Sequence, residues 1–192
     1  MNSLTCPSPL LFMRHGATAL NAAGLRCGGD VDLPLIEAGH RQAAQAAQRL
    51  AAMRPRVGVI VVSGLQRTRQ TAEIVARGLH GVEIIIEPAF NERRLGDWNR
   101  RPIADTQADL AAGITPPGGE SNIEFTQRIR AAVVGTLVPR LAKRPLLVAS
   151  KGVARVLGEL SGRGREAPLG NADFCVFDLS ALAQHDILEC AA

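Results

Sequence analysis

The chain has 192 residues and a net charge of +4, a length that fits one domain and a charge that favours anionic partners. Hydrophobic residues make up 46% of the chain and charged residues 21%, which argues for a packed core and against disorder or a coiled coil. Aromatic residues make up only 3%, and Tyr is absent. Because single-stranded nucleic acid is bound largely by aromatic stacking, we expect a small anionic substrate and no nucleic-acid partner.

The four cysteines are scattered along the sequence, and none belongs to a C-x-x-C pair; they are Cys6, Cys27, Cys175 and Cys190. This spacing matches no zinc or redox motif, and a disulfide framework is not expected at this length. The N-terminus lacks a basic region followed by a long apolar stretch, and no apolar run reaches the length of a membrane span. We therefore expect a cytoplasmic protein with no membrane partner.

Strand and helix patterns alternate along the chain after a lead, residues 1–9, that contains two prolines and is expected to be flexible. The predicted strands are short apolar runs at 10–13, 57–62, 82–86, 146–149 and 173–179. The predicted helices lie at 37–53, 65–79, 103–112, 121–144 and 153–161. This order predicts a single domain over 10–192 with an α/β fold and a mostly parallel central sheet. Ligands of such sheets bind outside the carboxyl ends of the strands.

Three predicted strands run into a basic residue at the start of the next segment. These residues are Arg14 after the first strand, Arg67 after the second, and Lys151 after the strand at 146–149. A cation near a helix N-terminus is unfavourable, because the helix dipole is positive there. One such residue is typical of a solvated turn, but three along one sheet edge indicate an anion between them, and helix N-termini bind phosphate well.

His15 stands between Arg14 and Gly16, directly after the first strand. An isolated histidine is more often a hydrogen-bonded structural residue than a catalyst. Here glycine permits close approach of the backbone to a ligand, and the neighbouring guanidinium favours a neutral imidazole. Only a neutral ring can attack phosphorus, so the pattern indicates a nucleophile for phosphoryl transfer.

The sequence resembles the histidine phosphatase superfamily, the phosphoglycerate-mutase-like proteins, and specifically its small phosphatases. The resemblance runs from Leu10 to about Leu179. Its motifs are R-H-G-A-T-A-L-N at 14–21 with Gly28, Asp32, Pro34-Leu35, Gly39 and Gln42-Ala43 downstream, S-G-L-Q-R-T-R-Q-T-A at 63–72, Asn91-Glu92 with Gly96 and Trp98, and G-G-E-S at 118–121.

The resemblance implies a three-layer α/β/α sandwich in which His15 is phosphorylated. It implies that Glu92 is the general acid for the leaving oxygen and then the general base for water. No metal or cofactor is expected, because pocket cations neutralise the transferring group. The resemblance assigns phosphate binding to Arg14 and Arg67, with Asn21 and Thr18 helping. Gly28, Arg93 and Lys151 are further candidates for binding the phosphate or the substrate.

The sequence departs from the superfamily pattern at Lys151, where Ser-His-Gly is expected and Ser-Lys-Gly is found. Lysine is a longer, flexible point charge without a ring, but it can still neutralise a phosphoryl group. Only two of the 22 basic residues are lysines, which favours a lysine fitted to the site. A smaller departure is Ile36 before the first long helix, where the superfamily usually has a capping Thr or Ser.

Four arginines crowd the loop that carries Glu92; they are Arg93, Arg94, Arg100 and Arg101. They are typical of a solvated loop, or they contact a second anionic group on the substrate.

The function that these patterns favour is hydrolysis of a small phosphomonoester. The short segment between Glu92 and Gly119 argues for it, because mutases of the superfamily carry a longer insertion there. A mutase and a phosphate-binding pseudo-enzyme with a regulatory or scaffolding role are the alternatives, and Lys151 motivates the second. A homodimer is left open.

Overall fold

A computed structural model of the chain describes residues 9–162, 169–180 and 182. The predicted flexible lead lies outside the described residues apart from Pro9. None of the helices in these described ranges is long and apolar enough to cross a membrane.

The central sheet has five strands, and its order across the sheet is β3-β2-β4-β1-β5. The pairs β1–β4, β2–β4 and β2–β3 are parallel, whereas β5 runs antiparallel to β1. The strands are β1 (Leu10–Arg14), β2 (Val59–Val62), β3 (Ile84–Ile86), β4 (Pro145–Ala149) and β5 (Phe174–Phe177). The predicted α/β fold with a mostly parallel sheet is confirmed.

The helices follow the predicted order, with one short addition, α1, after β1. They are α1 (Ala19–Ala22), α2 (Glu37–Ala52), α3 (Gln66–Gly78), α4 (Ile103–Ala111), α5 (Asn122–Ala132) and α6 (Lys151–Leu160). Residues 88–102 hold only two 3₁₀ turns, Pro88–Phe90 and Gly96–Trp98. As expected, Ile36 precedes α2 without a side-chain cap.

The predicted helix 121–144 is too long. Ser121 and Glu124 form the expected capping box, but regular α-helix ends at Ala132. A π-helical turn (Val133–Leu137) and a 3₁₀ segment (Val138–Lys143) follow. Pro139 lies in that last segment and has no N–H to donate to a carbonyl four residues earlier, so the α-helical ladder cannot continue through it.

Alternate side chains of the strands enter two separate apolar clusters. Leu10 and Phe12 pack with Ile129 and Leu157, so this side of the sheet is covered by α5 and α6. Leu11 and Met13, which point the other way, belong to the cluster that includes residues of α2 and α3. Successive strand residues face opposite sides of a sheet, and both sides here are apolar. The three-layer α/β/α sandwich is thereby confirmed.

Two glycines hold the start of α2 against the residues that follow β1. A Cβ added to Gly16 would lie 2.5 Å from the carbonyl oxygen of Gly39, and one added to Gly39 would overlap the backbone of Ala17. The Ala17 N–H also donates to Gln42 Oε1 on α2, at 3.0 Å. This close backbone contact sets the path of the chain immediately after His15.

We predict that Gly39→Ala lowers the free energy of unfolding by about 1–3 kcal/mol, since the methyl group must displace backbone atoms. Gly135→Ala is the matched control, because a Cβ there meets nothing within 4 Å and a helical glycine gains stability on replacement by alanine. Urea denaturation of both variants checks the prediction. Equal stabilities would contradict the proposed backbone contact.

Candidate active site

His15 follows β1 and is held by three backbone contacts. The backbone N–H of His15 donates to the carbonyl of Ala149 at the end of β4. Its own carbonyl accepts from the N–H of Ala172 and from Asn171 Nδ2, at 3.2 and 3.1 Å. The ring is only 4% exposed and lines a cavity of about 500 Å³. The side chain is therefore fixed at the carboxyl edge of the sheet, where the sequence placed it.

The hydrogen bonding of His15 selects one tautomer. Nδ1 lies 2.7 Å from the carbonyl oxygen of Gly16, which can only accept, so Nδ1 carries the proton and Nε2 keeps its lone pair. Burial, together with the charges of Arg67 and Arg14, lowers the pKa of His15 to about 3. At neutral pH the ring is uncharged with a free Nε2, the form that can attack phosphorus.

Arg14, which is half-buried, and Arg67, which is fully buried, bring two guanidinium groups to the site. Arg14 Nη1 donates to the carbonyl of Leu169 at 2.8 Å. Fully buried Arg67 donates from Nη1 to Val31 and from Nη2 to Gly28, both carbonyl oxygens, at 2.8 and 3.2 Å. Burial lowers the pKa of Arg14, an effect that the carboxylate of Glu92 partly offsets. Backbone carbonyls thus accept from some of the N–H groups of each guanidinium, and the other N–H groups are available to a ligand.

Hydrogen-bond donors without partners concentrate here. Among the described residues, five buried side-chain polar atoms have no hydrogen-bond partner. Three belong to this region: Nε of Arg14, Nε of Arg67 and Oγ of Ser150. Buried polar groups in folded proteins are nearly always paired, so an excess of unpaired donors in one place indicates a site for an anion.

Glu92 lies over the first turn of α6. Its Oε2 accepts from the N–H of Gly152 at 2.9 Å, and its Oε1 accepts from the N–H of Arg93 at 2.8 Å. A Cβ on Gly152 would overlap this carboxylate, which explains glycine at that position. Asn91 ties the same loop to the end of β2, because its Oδ1 accepts from the N–H of Gly64. The carboxylate is thus positioned beside the cavity that His15 also lines.

The structure brings most of the predicted site residues to the cavity. Among the described residues that line it are Arg14, His15, Asn21, Glu92, Arg93 and Lys151. Asn21 Oδ1 accepts from Thr18 and from Asn171 Nδ2. Thr18, Gly28 and Arg67 are not part of the lining: Thr18 caps α1 and Gly28 supplies a carbonyl to Arg67.

Lys151 is the first residue of α6, two residues earlier than the predicted start of that helix, and its side chain is exposed. The Lys151 side chain has no hydrogen bond or ion pair to any residue in the described part of the chain. Arg155, one turn later, also lines the cavity but donates to Asn122 Oδ1 at 2.5 Å. Lys151 is therefore the cation of this helix that is available to a ligand.

The arginines of the Glu92 loop are mostly used by the protein itself. Arg93 is 4% exposed and lines the cavity, but its Nε donates to the carbonyl of Glu120 at 2.7 Å and its Nη2 to that of Ile114. Arg94, Arg100 and Arg101 do not appear among the described residues that line the cavity. For these three, the solvated-loop interpretation fits better than a contact with the substrate.

Several residues that shape the site were not predicted from the sequence. Arg128 donates to the carbonyls of Ala89 and Asn91 and pairs with Glu120, which holds the Glu92 loop. Arg26 enters the cavity wall, and Asn171 supports His15. Their long-range partners leave no local signal in the sequence. Within the described ranges, no group of three or more His, Cys, Asp or Glu side chains could hold a metal.

The family model described as the histidine phosphatase superfamily, branch 1, matches residues 10–180. The chain belongs to this superfamily. The membership confirms the resemblance drawn from the His15, Arg67 and Glu92 motifs, whereas the roles of individual residues stay predictions.

Relatives within the superfamily include both mutases and phosphatases. The probable phosphoglycerate mutase GpmB of Photorhabdus laumondii is 39% identical over 161 residues, which span 79% of this chain and 72% of the relative. Fructose-2,6-bisphosphatase TIGAR B of Danio rerio is 37% identical over 130 residues, 63% of this chain and 50% of that protein. The mycobacterial glucosyl-3-phosphoglycerate phosphatase in complex with VO3 matches with a TM-score of 0.71 at 30% identity, covering 87% of this chain and 90% of that one. This superfamily member is thus an enzyme of the phosphatase or mutase type.

We predict that His15 makes stability depend on pH in the acid range. Because its pKa is about 3 in the folded state and about 6.5 when unfolded, the unfolded chain binds the proton first as pH falls. The contribution of neutral His15 to the free energy of unfolding is complete above the pKa of the unfolded state, and it is lost as pH falls towards the pKa of the folded state. Relative to His15→Asn, the wild type should lose about 2 kcal/mol between about pH 7.5 and about pH 5. Urea denaturation at both pH values tests this, and a constant difference would contradict it.

Proposed function

We propose that this chain is a phosphatase that hydrolyses a small phosphomonoester through a phosphohistidine on His15. The observation that carries the proposal is the state of that ring: buried, neutral, protonated on Nδ1 and free on Nε2, beside two guanidinium groups with unpaired Nε donors. His15 and Arg14 therefore line one cavity, and the charge of Arg67, which is not part of the lining, acts on both.

In the first half-reaction Nε2 of His15 attacks phosphorus, a P–N bond forms, and the P–O bond to the leaving alcohol breaks. Arg14, Arg67 and Lys151 neutralise the charge that spreads over the phosphoryl oxygens, with Asn21 as a further donor. Glu92 gives its proton to the leaving oxygen. A positioned acid of this kind typically contributes about 10²–10⁴-fold to the rate.

In the second half-reaction Glu92, now ionised, takes a proton from water. The oxygen of that water attacks phosphorus, the P–N bond breaks, and inorganic phosphate leaves while the imidazole of His15 returns to its neutral form. The N–H groups of Arg93 and Gly152 fix the carboxylate beside the cavity, which supports this assignment of the acid and base. No metal is required, since the cations of the pocket carry the neutralising charge.

The alternatives are a pseudo-enzyme and a mutase. A pseudo-enzyme would bind phosphate without turnover. This alternative is considered because Lys151 stands where the superfamily has a histidine. A mutase would return the phosphoryl group to the substrate, and the relative GpmB is a probable phosphoglycerate mutase. Hydrolysis is favoured because only residues 93–118 lie between Glu92 and Gly119.

We predict that wild-type protein hydrolyses p-nitrophenyl phosphate and forms an acid-labile phosphoprotein, and that His15→Ala abolishes labelling and lowers turnover by at least about 10³-fold. His40→Ala is the matched control, because His40 is an exposed histidine of α2 outside the cavity lining. Rapid-quench labelling and steady-state kinetics measure both effects.

The same assay decides the role of Lys151. Turnover that falls in Lys151→Gln would support its place in phosphoryl binding. Turnover and labelling that appear only in Lys151→His would overturn the enzyme proposal. Turnover that is insensitive to His15→Ala would overturn the mechanism.

A further inference from the structure

One wall of the cavity is the apolar face of α4. Ile103, Leu110 and Ala111 line the cavity together with Gln107, and their spacing places them on one side of this helix. Ile103 remains 40% exposed, although it is large and apolar. Apolar residues of other segments also line the cavity; they are Leu25, Leu95, Phe125, Ala154 and Leu169.

The cations that border this part of the cavity are engaged with the protein. Arg26 lines the cavity, but its Nε donates to Thr106 Oγ1 at 2.9 Å, and its Nη2 donates to Gln107 Oε1 at 2.9 Å and to the carbonyl of Ile103. Arg93 is similarly bound to the carbonyl of Glu120. Arg26 therefore ties α4 to the segment that carries Arg26. The surface of this half of the cavity is mainly apolar, because its cations are already hydrogen-bonded to the protein.

The size of the cavity agrees with an organic ligand. Its volume of about 500 Å³ lies within the roughly 300–1,000 Å³ typical of sites for drug-sized molecules, well beyond the need of a phosphoryl group. Because the cavity is continuous from His15 to α4, a group bound against α4 would be the leaving part of a phosphorylated molecule.

We propose that the α4 wall is a subsite for an apolar leaving group, and that the preferred substrates are phosphomonoesters of alcohols with an alkyl or aryl body. The proposal rests on the proposed phosphatase function of the same site. Small polyanions such as bisphosphates would leave the apolar wall uncovered and would find Arg26 and Arg93 already occupied.

The test compares kcat/KM for 2-phenylethyl phosphate and glycerol 1-phosphate, which are both alkyl esters with leaving groups of similar chemistry. Burial of the phenyl ring should favour the first by about 10- to 100-fold, and Ile103→Asn should reduce this preference about 10-fold. Ile123→Asn is the matched control, because Ile123 is 69% exposed and outside the cavity lining, and it should leave the preference unchanged.

Equal or reversed preference in the wild type would overturn the subsite while leaving the phosphatase intact. Absence of turnover with both esters would instead contradict the phosphatase. In that case calorimetry with 2-phenylethylphosphonate and methylphosphonate still tests the subsite, since tighter binding of the first supports it and equal binding overturns it.

A second, independent observation concerns Ser150 at the start of α6. Ser150 is 2% exposed, lines the cavity and occupies the N-cap position, yet its hydroxyl makes no capping bond and has no partner among the described residues. The N–H of Gly152 in the first turn is taken by Glu92 instead. A buried hydroxyl without a partner is unfavourable, so its retention calls for a ligand.

We infer that the Ser150 hydroxyl donates a hydrogen bond to the bound phosphoryl group, next to Lys151. A merely structural serine and a substrate-binding serine differ in their effect on stability. If the hydroxyl serves the ligand, Ser150→Ala removes an unpaired buried group and leaves the unfolding midpoint unchanged or higher, while kcat/KM falls by about 10- to 100-fold.

Ser121→Ala is the matched control, because Ser121 is an N-cap serine whose hydroxyl does accept from the N–H of Glu124, at 3.1 Å. It should lower the unfolding midpoint and leave kcat/KM unchanged. The inhibition constant for inorganic phosphate, or its dissociation constant by calorimetry, should rise in Ser150→Ala. A lower midpoint with unchanged phosphate binding in Ser150→Ala would overturn the inference.

Discussion

The guanidinium groups of half-buried Arg14 and fully buried Arg67 lie beside the imidazole of His15, and this concentration of positive charge with little access to water is the constraint on which the site depends. Backbone carbonyls accept from only part of each guanidinium and leave both Nε donors unpaired. An anion would supply the missing acceptor and charge. Burial of the His15 ring, together with the charges of these two arginines, lowers its pKa and keeps the ring neutral. A neutral imidazole and unpaired guanidinium donors therefore occur together at this edge of the sheet.

The order of the strands makes this arrangement possible. Because β2, β4 and β1 are adjacent and parallel, their carboxyl ends meet at one edge of the sheet. The loop with Glu92 then bridges two of these ends, through Asn91 to Gly64 and through the Glu92 carboxylate to Gly152. The Glu92 carboxylate and the His15 ring are thus each held by backbone groups at this edge of the sheet.

The cavity has two halves of different character. Near His15 it presents unpaired donors and an exposed lysine, whereas near α4 it presents apolar side chains and an arginine already bonded to that helix. A phosphorylated ligand with an apolar body would match both halves. The helix α4 has one fully buried residue, Thr106, and Arg26 donates to its hydroxyl. This contact holds α4 at the cavity, and it also occupies a cation that would otherwise be free to bind a ligand.

The sequence by itself determined the α/β fold, the sheet edge and the clustering of His15, Arg14 and Lys151, because strand periodicity and basic residues after strands are local patterns. The expectation for Glu92 came from the resemblance to the superfamily, since neither of these patterns includes an acidic residue. The helix predicted after Ser121 was too long, although Pro139 within that range is itself a local signal against a continuous α-helix. Only the tertiary structure decided which cations are available to a ligand: Arg93 and Arg26 are hydrogen-bonded to distant segments, whereas the Lys151 side chain has no partner among the residues that the structure describes. It also revealed the unpaired hydroxyl of Ser150 and the apolar wall of α4, because both follow from contacts between segments far apart in the chain.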